Sequence, residues 1–203
     1  MLELWMVRHG ETDWNRAEKV QGWTDVPLNE TGRMQAKRLS EQLTGIPFLA
    51  IFSSDLQRAR TTAMTLQAGV GAPLYIDKRL RERGFGAAEG MNRHEVRARF
   101  ENGVPDEEPL TSLQSRAAAF LADMGQQYAA GRILCVTHGG FIRTLLHLTG
   151  VADIPPILNT SVTRLHFDGV SWMVPVISAA AHLESPASTA GSDANAGGSG
   201  APA

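Results

Sequence analysis

The chain holds a single cysteine, Cys135, so a disulfide framework and a multi-cysteine metal site are both excluded. The apolar run Ile133-Leu134-Cys135-Val136 around it points to a packing role. An excess of charge of one sign is also missing. The 19 basic and 21 acidic residues are mixed along the sequence for a formal net charge of -2. No field exists to hold a nucleic acid or an anionic membrane surface, so neither is expected as a partner, and an anion site must be built locally. Long apolar runs are absent as well. The opening Met1-Leu2-Glu3-Leu4-Trp5-Met6-Val7 is too short and too soon charged for a signal peptide, and no later segment approaches a membrane span. A cytoplasmic location is the resulting expectation. His94, His147, His166 and His182 show no metal-ligand spacing with one another or with Cys135, so no metal and no cofactor is expected.

What is present suits one ordinary domain, since 43% apolar residues in 203 can bury a substantial single core. From Glu184 the sequence turns to serine, alanine, glycine and proline, which cannot offset the entropy of ordering. Residues 1–183 are therefore read as the domain and 184–203 as a disordered tail. Short apolar runs predict strands at Leu2 to Val7, Phe48 to Ser53, Leu74 to Ile76, Ile133 to Thr137 and Ser161 to Phe167, with a hairpin partner at Trp172 to Ile177 after Asp168-Gly169. Apolar residues three or four apart predict helices at Thr31 to Leu43, Leu56 to Ala68, Arg93 to Phe100, Ser112 to Tyr128 and Gly140 to Leu148. This alternation implies an α/β fold, a three-layer sandwich whose largely parallel central sheet carries helices on both faces.

In such sheets ligands bind beyond the carboxyl ends of the strands. Arg8-His9-Gly10 follows the first strand, Ser53-Ser54 with Arg58 the second, Glu82 the third, and Thr137-His138-Gly139-Gly140 the fourth. Two histidines, two arginines and a carboxylate on one rim suit phosphoryl transfer, whose transition state spreads negative charge over three oxygens. Taken alone, His9 would read as a structural histidine at a strand end and Arg58 as part of a solvated helix face. The longer string Arg8-His9-Gly10-Glu11-Thr12-Asp13-Trp14-Asn15 favours function. Trp14 and Trp23 are read as packing residues that fix loop shape.

Arg8-His9-Gly10-Glu11-Thr12 with Trp14-Asn15 and Gln21-Gly22 resembles the opening signature of the histidine phosphatase (phosphoglycerate mutase-like) superfamily. The resemblance continues through Leu28-Asn29-Glu30-Thr31-Gly32, Ser53-Ser54-Asp55-Leu56-Gln57-Arg58, Leu80-Arg81-Glu82, Glu89-Gly90 and Thr137-His138-Gly139-Gly140. It implies a phosphohistidine on His9, a phosphate pocket of Arg8, Arg58 and His138, and Glu82 as proton donor to the leaving oxygen. It also implies phosphate or substrate contacts from Asn15, Gln21, Gly22 and Gly139. On physical grounds His9 must attack as a neutral imidazole, with a protonated His138 helping Arg8 and Arg58 to offset charge. Glu82 must give a proton in the first half-reaction and take one from water in the second. Glu11, beside the nucleophile, is read as orienting an arginine or capping local amides.

Cofactor-dependent mutases of this superfamily carry a longer insertion after the acid, with an arginine pair for the substrate carboxylate. Here Glu101 to Leu110 is short and acidic, which favours a phosphatase acting on a small phosphorylated metabolite. The resemblance extends to bacterial α-ribazole-phosphate phosphatases and to broad-specificity phosphomonoesterases. A phosphoglycerate mutase and a non-catalytic phospho-ligand binding protein stand as the alternatives. Related phosphatases carry Gly-Gly-Glu-Ser before the long helix; Glu107-Glu108-Pro109-Leu110 stands here, leaving open which acid frames the site. Arg93 is a candidate for an anionic substrate group, and the oligomeric state is open.

Overall fold

The computed structural model describes residues 1–183. The tail expected at 184–203 lies outside the described residues. Six strands form one sheet in the order β3-β2-β4-β1-β5-β6. They are β1 (Leu2–Arg8), β2 (Ala50–Ser53), β3 (Leu74–Ile76), β4 (Gly131–Thr137), β5 (Val162–Phe167) and β6 (Trp172–Ala179). The first four pair in parallel, whereas β5 runs antiparallel to both β1 and β6.

Period-two alternation divides each strand between two cores. Leu2, Leu4, Met6, Ile133, Cys135 and Leu165 face one core, while Val7, Ile51, Leu134, Val136 and Val162 face the other. Helices α5 (Leu110–Gln127) and α6 (Gly139–Leu148) cover the first core through Leu113, Ala117, Phe120, Phe141 and Leu145. Helices α2 (Glu30–Leu43) and α3 (Gln57–Val70) cover the second through Leu39, Leu43, Ala59, Ala63 and Leu66. These spacings of three and four put one stripe of each helix on the sheet, and three layers result.

Two further helices stand outside these layers. The single turn α1 (Asp13–Arg16) was not read from its apolar pattern, because none of its residues is buried. A capping box holds it instead: the Thr12 side chain accepts from the Asn15 amide, and the Asn15 side chain accepts from the Thr12 amide. Helix α4 (Arg93–Arg99) also buries nothing and rests on the equivalent box between Asn92 and Glu95.

The chain leaves β1 through α2 for β2 on one side, and leaves β4 through α6 for β5 on the other. The carboxyl ends of the neighbours β1 and β4 thus flank the point where connections diverge, the place such sheets reserve for ligands. Among the described residues, no helix is long and apolar enough to cross a membrane.

Candidate active site

In the β1/β4 ladder Arg8 is the register partner of Thr137, so His9 and His138 are neighbours one residue beyond the last pair. Their ring centroids lie 5.1 Å apart at 60°. His9 begins where its amide donates to Thr137 O (2.9 Å), and its carbonyl accepts from Asn159 Nδ2 (2.9 Å). Its Nδ1 lies 2.7 Å from Gly10 O. A carbonyl only accepts, so Nδ1 carries the hydrogen and Nε2 keeps its lone pair. Behind the ring the chain is compressed. A Cβ on Gly10 would stand 2.5 Å from Gly32 O, and one on Gly32 would stand 2.1 Å from Glu11 O, so the first turn of α2 seats directly on the residue after His9.

Arg58, in the first turn of α3, is 1% exposed. Its guanidinium donates to Gly22 O (2.7 Å) and Thr24 O (2.9 Å). Arg8 donates to Ile157 O (2.7 Å). Among the described residues neither arginine has a carboxylate bonded to it, and Nε of Arg8, Nε of Arg58 and Nδ1 of His138 are buried without a partner. Buried polar atoms left unpaired are uncommon, and two arginine N–H donors beside an unpaired imidazole nitrogen are what an anion would satisfy. Burial is the main cause that lowers Arg8 and brings Arg58 down to about 10, with Glu82 nearby opposing both shifts. The backbone of Gly139 passes close by; a Cβ there would lie 3.5 Å from Arg8 Nε.

Both imidazoles are held neutral. Burial, then Arg58, then Arg8 push His9 well below 6.5; burial, then Arg58, do the same for His138. This suits His9 as expected; His138, expected protonated while charge develops on the phosphoryl group, is neutral without an anion beside it. Next to two buried guanidinium groups a third cation is disfavoured until an anion enters. His138 Nε2 meets Ser54 Oγ at 3.0 Å.

Glu82 is held at both ends. Its Oε2 accepts from the Gly140 amide at the start of α6 (2.9 Å), and its Oε1 accepts from the Arg83 amide (2.9 Å). Its carbonyl accepts from Trp23 Nε1 and from Arg116 Nη2, each at 2.8 Å. Trp23 reaches the acid through this indole N–H, while it stays 45% exposed. Of the two acids before α5, Glu108 accepts from Arg116 Nε (2.8 Å) and Nη2 (2.9 Å), while Arg116 also donates to Arg79 O and Arg81 O.

Asn15 and Gln21 meet through Thr12. Asn15 Oδ1 accepts from the Thr12 amide (3.2 Å), and Gln21 Oε1 lies 3.0 Å from Thr12 Oγ1. Gly22 contributes its carbonyl to Arg58, and Glu89 fixes the same loop by accepting from the Trp23 (2.8 Å) and Thr24 (2.7 Å) amides. Glu11 turns away from the arginines, accepting from Asn29 Nδ2 (2.8 Å) at the cap of α2. Arg93 stands exposed at the start of α4. A groove lined by Gly90, Met91, Glu95, Ala98 and Arg99 lies beside α4 and includes none of the rim residues. Sequence reasoning missed Asn159 and Arg116, whose side chains reach His9 and Glu82 from distant elements. Among the described residues no group of three histidine, cysteine or acidic side chains is arranged to hold a metal.

Known proteins share this arrangement of chain. The pattern of the histidine phosphatase superfamily (branch 1) matches residues 4–179. Phosphoglycerate mutase-like protein 4 of Arabidopsis thaliana is 37% identical over 200 residues, covering 90% of this chain and 87% of that protein. A Bacillus subtilis protein named uncharacterized phosphatase PhoE is 33% identical over 190 residues, covering 90% of this chain and 97% of its own. The solved structure of mycobacterial glucosyl-3-phosphoglycerate phosphatase with VO3 superposes with a TM-score of 0.79 at 28% identity, covering 87% of this chain and 98% of that one.

Proposed function

The chain belongs to the histidine phosphatase superfamily, branch 1, and from that membership we propose that it hydrolyses phosphomonoesters of small metabolites in the cytoplasm through a phosphohistidine on His9. The observation that carries the reading is the cluster of buried His9, Arg58 and His138 with half-buried Arg8, an unpartnered N–H donor on each arginine, and Glu82 beside it. Nε2 of neutral His9 attacks phosphorus, the P–O ester bond breaks, and protonated Glu82 gives its proton to the leaving oxygen. Water then attacks the phosphohistidine, its proton passes to the Glu82 carboxylate, the P–N bond breaks, and inorganic phosphate leaves. Arg8 and Arg58 offset the charge of the transferring group throughout. The incoming phosphoryl oxygens favour protonation of His138, which then adds a third donor. Asn15, Gln21 and the amide of Gly139 complete the phosphate contacts.

Hydrolysis rather than phosphoryl relocation is supported by the arginines that flank the acid. Arg81 is held by Asp55 through two hydrogen bonds (2.7 and 2.6 Å), and Arg83 pairs with Glu107 (3.2 Å). Neither is free to grip a substrate carboxylate, as a mutase acting on phosphoglycerate requires. The relatives named as phosphatases support the same choice. Within this reading α-ribazole phosphate and a broad range of phosphomonoesters are the candidate substrates.

The test is to incubate the protein with p-nitrophenyl phosphate, and separately with 3-phosphoglycerate plus 2,3-bisphosphoglycerate. Free phosphate from the first, with little isomerised product from the second, is expected. Isomerisation that outpaces phosphate release would establish a mutase, and no reaction in either mixture would leave a phospho-ligand binding protein.

A further inference from the structure

We propose that Asn159 is a positioning residue for this site, one that ties the backbone of the nucleophile to the orientation of the phosphate-binding amide of Asn15. The inference rests on the reading of His9 as nucleophile. Asn159 lies 150 residues along the chain from His9, yet its Nδ2 donates to His9 O at 2.9 Å and to Asn15 Oδ1 at 3.2 Å. An amide nitrogen has two hydrogens, and both are used.

The consequence for Asn15 follows from its partners. One side-chain atom receives the Thr12 backbone amide (3.2 Å) and Asn159 Nδ2 (3.2 Å), and it lies 3.2 Å from Thr12 Oγ1, whose single hydrogen also faces Gln21 Oε1 (3.0 Å). A backbone amide only donates, so that atom is the oxygen. The Asn15 nitrogen is turned the other way, and it donates to no acceptor among the described residues. Removing Asn159 takes away one of the two N–H donors that hold this orientation, together with a donor on the carbonyl of the nucleophile.

The next residue keeps Asn159 in place. Thr160 is fully buried with φ of 56°, in the left-handed region that a β-branched residue rarely adopts. Its amide donates to Arg8 O (2.9 Å), and its hydroxyl joins Asn159 O (2.8 Å) and His182 Nε2 (2.8 Å). A strained backbone held from several sides at the end of β1 is what over-determined positioning of a functional group looks like.

The experiment compares Asn159→Ala, Asn15→Ala and the double variant with the wild type. It measures orthovanadate affinity by tryptophan fluorescence, kcat and KM for p-nitrophenyl phosphate, and thermal unfolding. Each single variant is expected to lose about tenfold in vanadate affinity, the size of one hydrogen bond to a charged group. The double variant is expected to lose no more than the worse single, because Asn159 acts on vanadate through Asn15. The kcat of Asn159→Ala is expected to fall further, since His9 loses its own support. Should Asn159→Ala not fold, Asn159→Ser retains one donor and is expected to fall between wild type and Asn15→Ala.

A variant that only melts earlier, with vanadate affinity and kcat unchanged, would overturn the role, as would additive losses in the double variant. Vanadate binding needs no turnover, so the two readings separate. A wild type that binds vanadate without releasing phosphate defeats hydrolysis and leaves the Asn159 comparison decisive. A wild type that turns over while Asn159→Ala matches it defeats only the role of Asn159. A wild type that binds no vanadate defeats both.

Discussion

Glu82 receives four hydrogen bonds, two on its carboxylate and two on its carbonyl, from elements as distant as the Trp23 loop, α5 and α6. A general acid supplies roughly 10²–10⁴ in rate where the leaving group needs its proton. Glu82→Gln keeps the size and loses the proton. Phosphate release from alkyl phosphates is expected to drop about a hundredfold or more, and that from p-nitrophenyl phosphate less than tenfold. Equal losses in a steady-state comparison would remove Glu82 from the role. The two buried histidines carry a second expectation, about stability. His9 and His138 are depressed well below 6.5 in the fold, so below that value the unfolded chain binds protons that the folded chain refuses. Their contribution is intact above about pH 7.5 and is lost progressively as the pH falls through 6.5, at up to about 1.4 kcal/mol per pH unit for each histidine. Urea unfolding between pH 7.5 and 5.5 should show that slope, reduced in His138→Gln. A flat profile in the wild type would mean the histidines are not buried neutral.

At the level of elements, α6 begins on the acid. A Cβ on Gly140 would stand 2.2 Å from Glu82 Oε1, on a carboxylate that the Gly140 and Arg83 amides hold. Gly140→Ala should still fold, because alanine favours a helix by up to about 1 kcal/mol over glycine and so offsets much of the loss of about one such hydrogen bond. It should nonetheless displace the carboxylate and slow poor leaving groups in the manner of Glu82→Gln, read by pairing thermal unfolding with the same alkyl phosphate assay. Most of these elements were legible in the sequence. The five helices and six strands expected from periodicity exist, with ends shifted by a few residues; the four helices on the sheet bury a regular stripe, whereas α4 buries nothing and stands on its capping box. Two features escaped. Helix α1 buries nothing and exists through its capping box, so only Thr12 and Asn15 announced it. Asn159 reaches the rim because the loop after α6 carries the chain back to Val162, which pairs with Val7 in an antiparallel register that no local pattern encodes.

Across the whole molecule, the rim residues read from the sequence come together because β1, β2 and β4 end on one edge, and their motifs sit just beyond those ends. The state of charge was less legible. That His138 is neutral until an anion enters follows from burial beside Arg58, which only the packed fold reveals. The layers are joined at the rim by Arg116, which runs from α5 to Glu108 and to the carbonyls of residues 79, 81 and 82. Its side chain is 16% exposed and that of Glu108 is 9% exposed. Arg116→Met should cost about 2–3 kcal/mol by chemical denaturation, because it strands a largely buried carboxylate and three carbonyls. Arg16→Ala, which breaks a pair exposed by 70% and 67%, should leave unfolding unchanged. Comparable losses in both would mean the rim is not a buried junction. The central claim, that His9 takes the phosphoryl group, is tested most directly by rapid quenching of the reaction with p-nitrophenyl phosphate. The account predicts a base-stable, acid-labile phosphoryl adduct on His9, formed and lost at rates that match phosphate release and absent from His9→Ala. Phosphate release without an adduct, or a wild-type level of adduct in His9→Ala, would contradict it.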